Sequence, residues 1–93
     1  MELKKKTKTY LICFNPYGTN RDKVMDTLVE AGIRTWRSEI SGCIMLKTVY
    51  SADEIRGLLL RVMQGRFIVA EINGNCNGMM TKKGWDFLSD RGT

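Results

Sequence analysis

The strongest constraint is a run of five apolar residues, Tyr10, Leu11, Ile12, Cys13 and Phe14, that ends abruptly in the turn-forming Asn15-Pro16-Tyr17-Gly18. A run this short, bounded by turn residues and rich in aromatic and β-branched types, predicts a strand. No position in it is polar, so neither face alternates toward water, and a strand covered on both faces stands in the middle of a sheet. The rest of the chain must supply neighbours for both its edges and cover for both its faces. The loop at its end is where sheet proteins tend to place chemistry, and the residue standing there is Asn15.

The remaining elements follow from capping and periodicity. Asn20 is placed to cap a helix with Asp22 in its first turn, where negative charge suits the helix dipole. Val24, Met25, Leu28, Val29 and Ala31 form its apolar stripe, and Gly32 ends it. Residues 33–40 predict a strand with Ile33, Thr35 and Arg37 on one face and Arg34, Trp36 and Ser38 on the other. Ser41-Gly42 supplies a turn into a second continuous apolar run over residues 43–46, so the two segments should pair as a hairpin. Ser51-Ala52-Asp53-Glu54 is a capping box. Ile55, Leu58, Leu59, Val62 and Met63 make the stripe of the helix it starts, and Gly65 closes it. Residues 67–72 predict a fourth strand.

This order, β-α-β-β-α-β, is the α+β ferredoxin-like arrangement. The expected layout is a basic arm over residues 1–8 and one domain over residues 9–93 with a short C-terminal extension. In that extension residues 73–78 form a polar, glycine-rich loop that matches no phosphate-loop fingerprint. Residues 81–90 predict a short helix carrying Trp85 and Leu88, with Gly84 counting against it.

A chain of 93 residues makes one domain. Fifteen Lys and Arg against ten Asp and Glu leave a net charge of +5, which suits a nucleic-acid or other anionic partner. The three cysteines are scattered without a CxxC pair and there is no histidine, which excludes the usual zinc sites and histidine-activated nucleophiles. No cofactor is expected. Cys13 and Cys43 lie in apolar runs and read as small core residues, whereas Cys76 falls in the polar loop. The sequence holds no run of about 20 apolar residues and no signal-peptide pattern, so a cytoplasmic protein without membrane contact is expected.

A ferredoxin-like sheet carries its helices on one face, yet both central strands here are apolar at every position. The second face therefore needs a cover, and a second copy of the chain is the expected one. Tyr10, Ile12, Phe14, Cys43 and Met45 are the residues assigned to that homodimer interface. An RNA-reading sheet would need a basic-glycine-aromatic run on the third strand, which instead reads Cys43-Ile44-Met45-Leu46. Phosphate contacts are assigned instead to Lys4, Lys5, Lys6, Arg34, Arg37, Lys47 and Arg66.

Several segments together resemble a known group. They are Lys8-Thr9-Tyr10-Leu11-Ile12, Ala31-Gly32 before a Trp-bearing strand, Ser51-Ala52-Asp53-Glu54-Ile55-Arg56, and Gly84-Trp85-Asp86-Phe87-Leu88. The chain is similar over most of residues 8–90 to the small bacterial and phage proteins of the SinR family. These are relatives of VapD-type ribonucleases and of the small CRISPR-associated adaptation protein that dimerises beside the integrase. The resemblance implies a ferredoxin-like dimer in a group holding both metal-dependent endonucleases and structural nucleic-acid binders. It also implies, for the nuclease branches, an aspartate at the end of the first strand where two subunits share a magnesium ion.

Asn15 stands at that position, and a neutral amide is a weaker ligand for a hard cation. Of the nearby acids, Asp22 reads as dipole compensation and Glu39 as a solvated hairpin residue. The expectation is therefore a non-catalytic dimeric nucleic-acid binder or adaptor. A protein-binding module, such as a phage-encoded inhibitor of a host factor, and a metal-dependent endoribonuclease are the alternatives.

Overall fold

The computed structural model describes residues 6–89, in which a four-stranded antiparallel sheet carries three helices. The elements run β1 (Lys8–Phe14), α1 (Arg21–Glu30), β2 (Thr35–Ile40), β3 (Cys43–Thr48), α2 (Ala52–Leu59), β4 (Phe67–Ile72) and α3 (Lys82–Ser89). In space the strands lie in the order β2-β3-β1-β4, so β1 is central, as its unbroken apolar run requires. Lys8, placed in the basic arm by the sequence, is the first residue of β1, and Lys4 and Lys5 lie outside the described residues. Among the described residues no helix is long and apolar enough to cross a membrane.

Local chemistry accounts for the helix ends. The Asn20 side chain accepts from the Asp22 and Lys23 N–H groups at 3.0 and 3.3 Å, capping α1. At the other end Gly32 takes φ 89°, its N–H donates to Val29 O, and the Ile33 N–H donates to Leu28 O. This is a Schellman motif, and Ile33 and Leu28 are the buried contact that accompanies it. It corrects the expected start of β2: Ile33 is committed to closing α1 and to the core, so the strand begins at Thr35. The capping box forms as expected, with Ser51 and Glu54 exchanging bonds of 3.0 and 3.1 Å.

One face of the sheet meets α1 and α2. Tyr10, Ile12 and Phe14 from β1 join Ile44 and Leu46 from β3, Val24 and Leu28 from α1, and Ile55 and Leu59 from α2. The Tyr10 hydroxyl donates to Tyr50 O, and the Tyr50 hydroxyl donates to Ala31 O, each at 2.8 Å. Burial, helped by the negative charges of Glu71 and Glu54, raises the Tyr10 phenol above its ordinary pKa. Tyr10, Ile12 and Phe14 therefore cannot line a dimer interface. The antiparallel register pairs them across to β3 as Tyr10 with Leu46 and Ile12 with Ile44, which fixes them on the helix side.

The opposite face is built from the alternate residues, in three rows that cross the sheet. They are Ile68–Cys13–Cys43–Ile40, Ala70–Leu11–Met45–Arg37 and Ile72–Thr9–Lys47–Thr35. The register shift between Arg37 and Ile40 is a bulge in β2. Part of this face is covered by the chain's own α3 rather than left open for a second copy. Thr81 donates to Glu39 from both its N–H (3.1 Å) and its hydroxyl (2.9 Å), and its hydroxyl accepts from the Gly84 N–H that starts α3.

Gly84 is the point of closest approach: a Cβ there would lie 2.9 Å from the Glu39 side chain. The glycine that argues against a helix in the sequence is the residue that lets the helix dock. Met45, also assigned to a dimer interface, is buried beneath this cover at 5% exposure.

Candidate nucleic-acid interface

The strand register sorts the basic residues by which end of the sheet they occupy. Thr9 pairs with Lys47 and Ile72, and Thr35 pairs with Lys47. The start of β1, the start of β2 and the end of β4 therefore share one end. Lys6, Lys8 and Arg34 are exposed there. Arg66 precedes Phe67, which pairs with Phe14 at the far end, on the order of 20 Å away along strands of this length.

Two of the assigned cations are engaged elsewhere. Lys47 is only 6% exposed, with its ammonium 4.8 Å above the Phe87 ring of α3. Its place in the strand made it look accessible, but the register turns it under the C-terminal helix. Arg37 pairs with Glu39 and donates to the Thr81 hydroxyl at 3.4 Å. Glu39 is thus no solvated hairpin residue. The two bonds from Thr81, ahead of the Arg37 contacts, hold its carboxyl below the usual range.

What remains is a cleft of about 960 Å³ between the start of β1, the end of β4 and α3. Lys6, Lys8, Asn73, Trp85 and Ser89 line it, with Glu71 as its one acidic wall. Flexible cations beside an aromatic ring and small polar groups can hold a phosphate chain and stack a base. Lys8, Asn73 and Trp85 were not singled out from the sequence as site residues. The pairing of both β1 and β4 with a polar loop at the same end was the signal available for them.

Asn15, at the other end of β1, accepts from the Tyr17 N–H at 3.0 Å and closes a local turn. Among the described residues no group of three His, Cys, Asp or Glu side chains gathers to hold a metal ion. Cys13 and Cys43, expected in the core, are half-buried on the α3 side of the sheet, with their sulfurs 3.6 Å apart. Beside them is an apolar pocket of about 200 Å³ under α3 and the loop before it, lined by Leu11, Met45, Met79, Met80, Trp85 and Leu88.

No protein-family model matches the chain, and no curated protein or solved structure matches it.

Proposed function

We propose that this chain is a ferredoxin-like, non-catalytic nucleic-acid-binding module that holds its ligand by phosphates in the cleft at the start of β1. The grouping of Lys6, Lys8 and Trp85 in one cleft carries this reading. The β4-β1-β3-β2 neighbourhood of the strands, with a helix between β1 and β2 and another between β3 and β4, supports the ferredoxin-like assignment. The resemblance to SinR-family proteins belongs to the same reading. Arg34 extends the basic surface at this end, and Lys4 and Lys5 precede Lys6 in the chain.

The test is a binding titration of a mixed-sequence single-stranded oligonucleotide across a salt series. Affinity should fall linearly on a log–log plot. Replacing Lys6 and Lys8 together by Ala should lower the slope by about two, since each lost phosphate contact removes roughly one. No measurable binding at physiological salt, or an unchanged slope in the double variant, would overturn it.

A second reading, a protein-binding module or homodimer, is favoured by a separate observation. Ile68 and Ile40, at the two ends of the first cross-sheet row, are 61% and 55% exposed. That row is the apolar part of the second face left outside α3. A dimer formed there would use Cys43 but none of Tyr10, Ile12 or Phe14. Light scattering on the wild type and on Ile68→Lys separates this reading, because self-association through the row would be lost in the variant.

A further inference from the structure

Cys13 and Cys43 are Cα partners on the two central strands, 30 residues apart in the chain, and their Sγ atoms lie 3.6 Å apart. Two hydrogen bonds identify the kind of pair. The Phe14 N–H donates to Gly42 O at 2.8 Å, which makes Phe14 and Gly42 a hydrogen-bonded pair. The Cys43 carbonyl accepts from the Ser38 hydroxyl at 3.0 Å, so it points toward β2 and away from β1. Antiparallel ladders alternate, so Cys13 and Cys43 form a non-hydrogen-bonded pair, the closer kind, with Cα atoms about 4.5 Å apart.

That separation falls at the short end of the range a disulfide spans. Rotation about the side-chain bonds brings the sulfurs from contact distance to the bond length of about 2.05 Å. The pair is also reachable. Both cysteines are half-buried, and the isoleucines on either side of them in the row are largely exposed.

We propose that Cys13 and Cys43 are a redox modification site, closed into a reversible cross-strand disulfide by a low-molecular-weight disulfide such as oxidised glutathione. One cysteine, as thiolate, attacks a sulfur of the oxidant, breaks its S–S bond and releases one thiol. The second cysteine, as thiolate, then attacks the protein-bound sulfur, forms the Cys13–Cys43 bond and releases the second thiol. The protein gives up two electrons and two protons, and both protons end on the released thiols.

At rest the pair stays reduced: burial first, and then the contact with Cys43, push the Cys13 thiol up to about 11. A bond at the short end of the allowed geometry is readily reduced, so closure is reversible. It would tie β1 to β3 beside the Asn15 loop and remove both thiols from the uncovered row.

The test uses the full chain carrying Cys76→Ser, a substitution at an exposed position that leaves only this pair. After exposure to oxidised glutathione and an acid quench, the intact mass should fall by two hydrogens. Both thiols should disappear together, and a reductant should restore them. In the wild-type chain the peptide map should show Cys13 joined to Cys43 and Cys76 outside the bond. In Cys13→Ser with Cys76→Ser, Cys43 should instead retain bound glutathione. Two titratable thiols after treatment, stable glutathione on both cysteines of the Cys76→Ser chain, or a cross-link between chains in place of the internal bond would overturn the assignment.

Discussion

The two faces of the sheet are made from the same two apolar strands and are closed in different ways. On the α1/α2 face, Ile12, Ile44, Leu46, Val24 and Leu28 are fully buried and meet only apolar neighbours. On the α3 face the fastening is polar and sits at the edge: Thr81 on Glu39, Arg37 on Glu39, and Lys47 under Phe87. The first kind of closure draws on area removed from water and depends little on pH or salt. The second depends on a few directed contacts, leaves the row from Ile68 to Ile40 open, and forms one wall of the basic cleft. The face that specifies the fold and the face that meets other molecules are thus distinguished by how they are held.

Substitutions on the two faces should separate them. Ile12→Ala, at a position with no exposure, should destabilise the protein by about 2–5 kcal/mol in denaturant unfolding. Leu11→Ala, on the next residue but half-buried, should cost less than half as much. Equal effects would mean that α3 closes its face as tightly as α1 and α2 close theirs.

Gly84→Ala is the next largest expected effect. In an exposed helix the change would stabilise by about 0.4–1 kcal/mol. Here the new methyl meets a Glu39 side chain held in place by Arg37 and Thr81, and a loss of about 1–3 kcal/mol is expected. A gain in stability would show that α3 does not pack against Glu39.

A smaller effect should appear with pH. The Glu39 carboxyl is held below its ordinary range in the folded chain, so its contribution is complete above the ordinary carboxylate pKa and is lost as pH falls through the lowered value. In a Trp36→Phe background, Trp85 fluorescence should report α3 loosening in that acid window before the core unfolds. Glu39→Gln should remove the transition. Simultaneous loss of α3 and the core would argue that the two faces unfold as one.

Much of this fold was legible because short-range signals carried it. Asn20 and Ser51 announced two helix starts, and Gly32 and Gly65, both at φ 89°, fell where two helical segments close. The unbroken run from Tyr10 to Phe14 placed β1 in the middle of the sheet. The same run hid which side chains face the helices, because a strand without polar positions has no alternation to orient it. That is why Tyr10, Ile12 and Phe14 were assigned to the wrong face.

Ile33 read as strand because a Schellman closure uses an apolar residue just beyond the glycine, where a strand start looks the same. The pairing of Glu39 with Thr81, 42 residues away, has no local signature. It removed Arg37 and Lys47 from the candidate interface and moved attention to Lys8 and Trp85. The cysteine pair was visible only as two residues in two strands until the register set them opposite one another.

Amide chemical-shift mapping with a short single-stranded oligonucleotide tests the central claim, binding in the cleft beside α3, most directly. The largest shifts should fall on Lys6, Thr7, Lys8 and Thr9, on Asn73 and Gly74, and on the Trp85 indole, and should fade as salt is raised. Shifts concentrated instead on Ile68, Cys13, Cys43 and Ile40, or an unchanged spectrum at low salt, would contradict it.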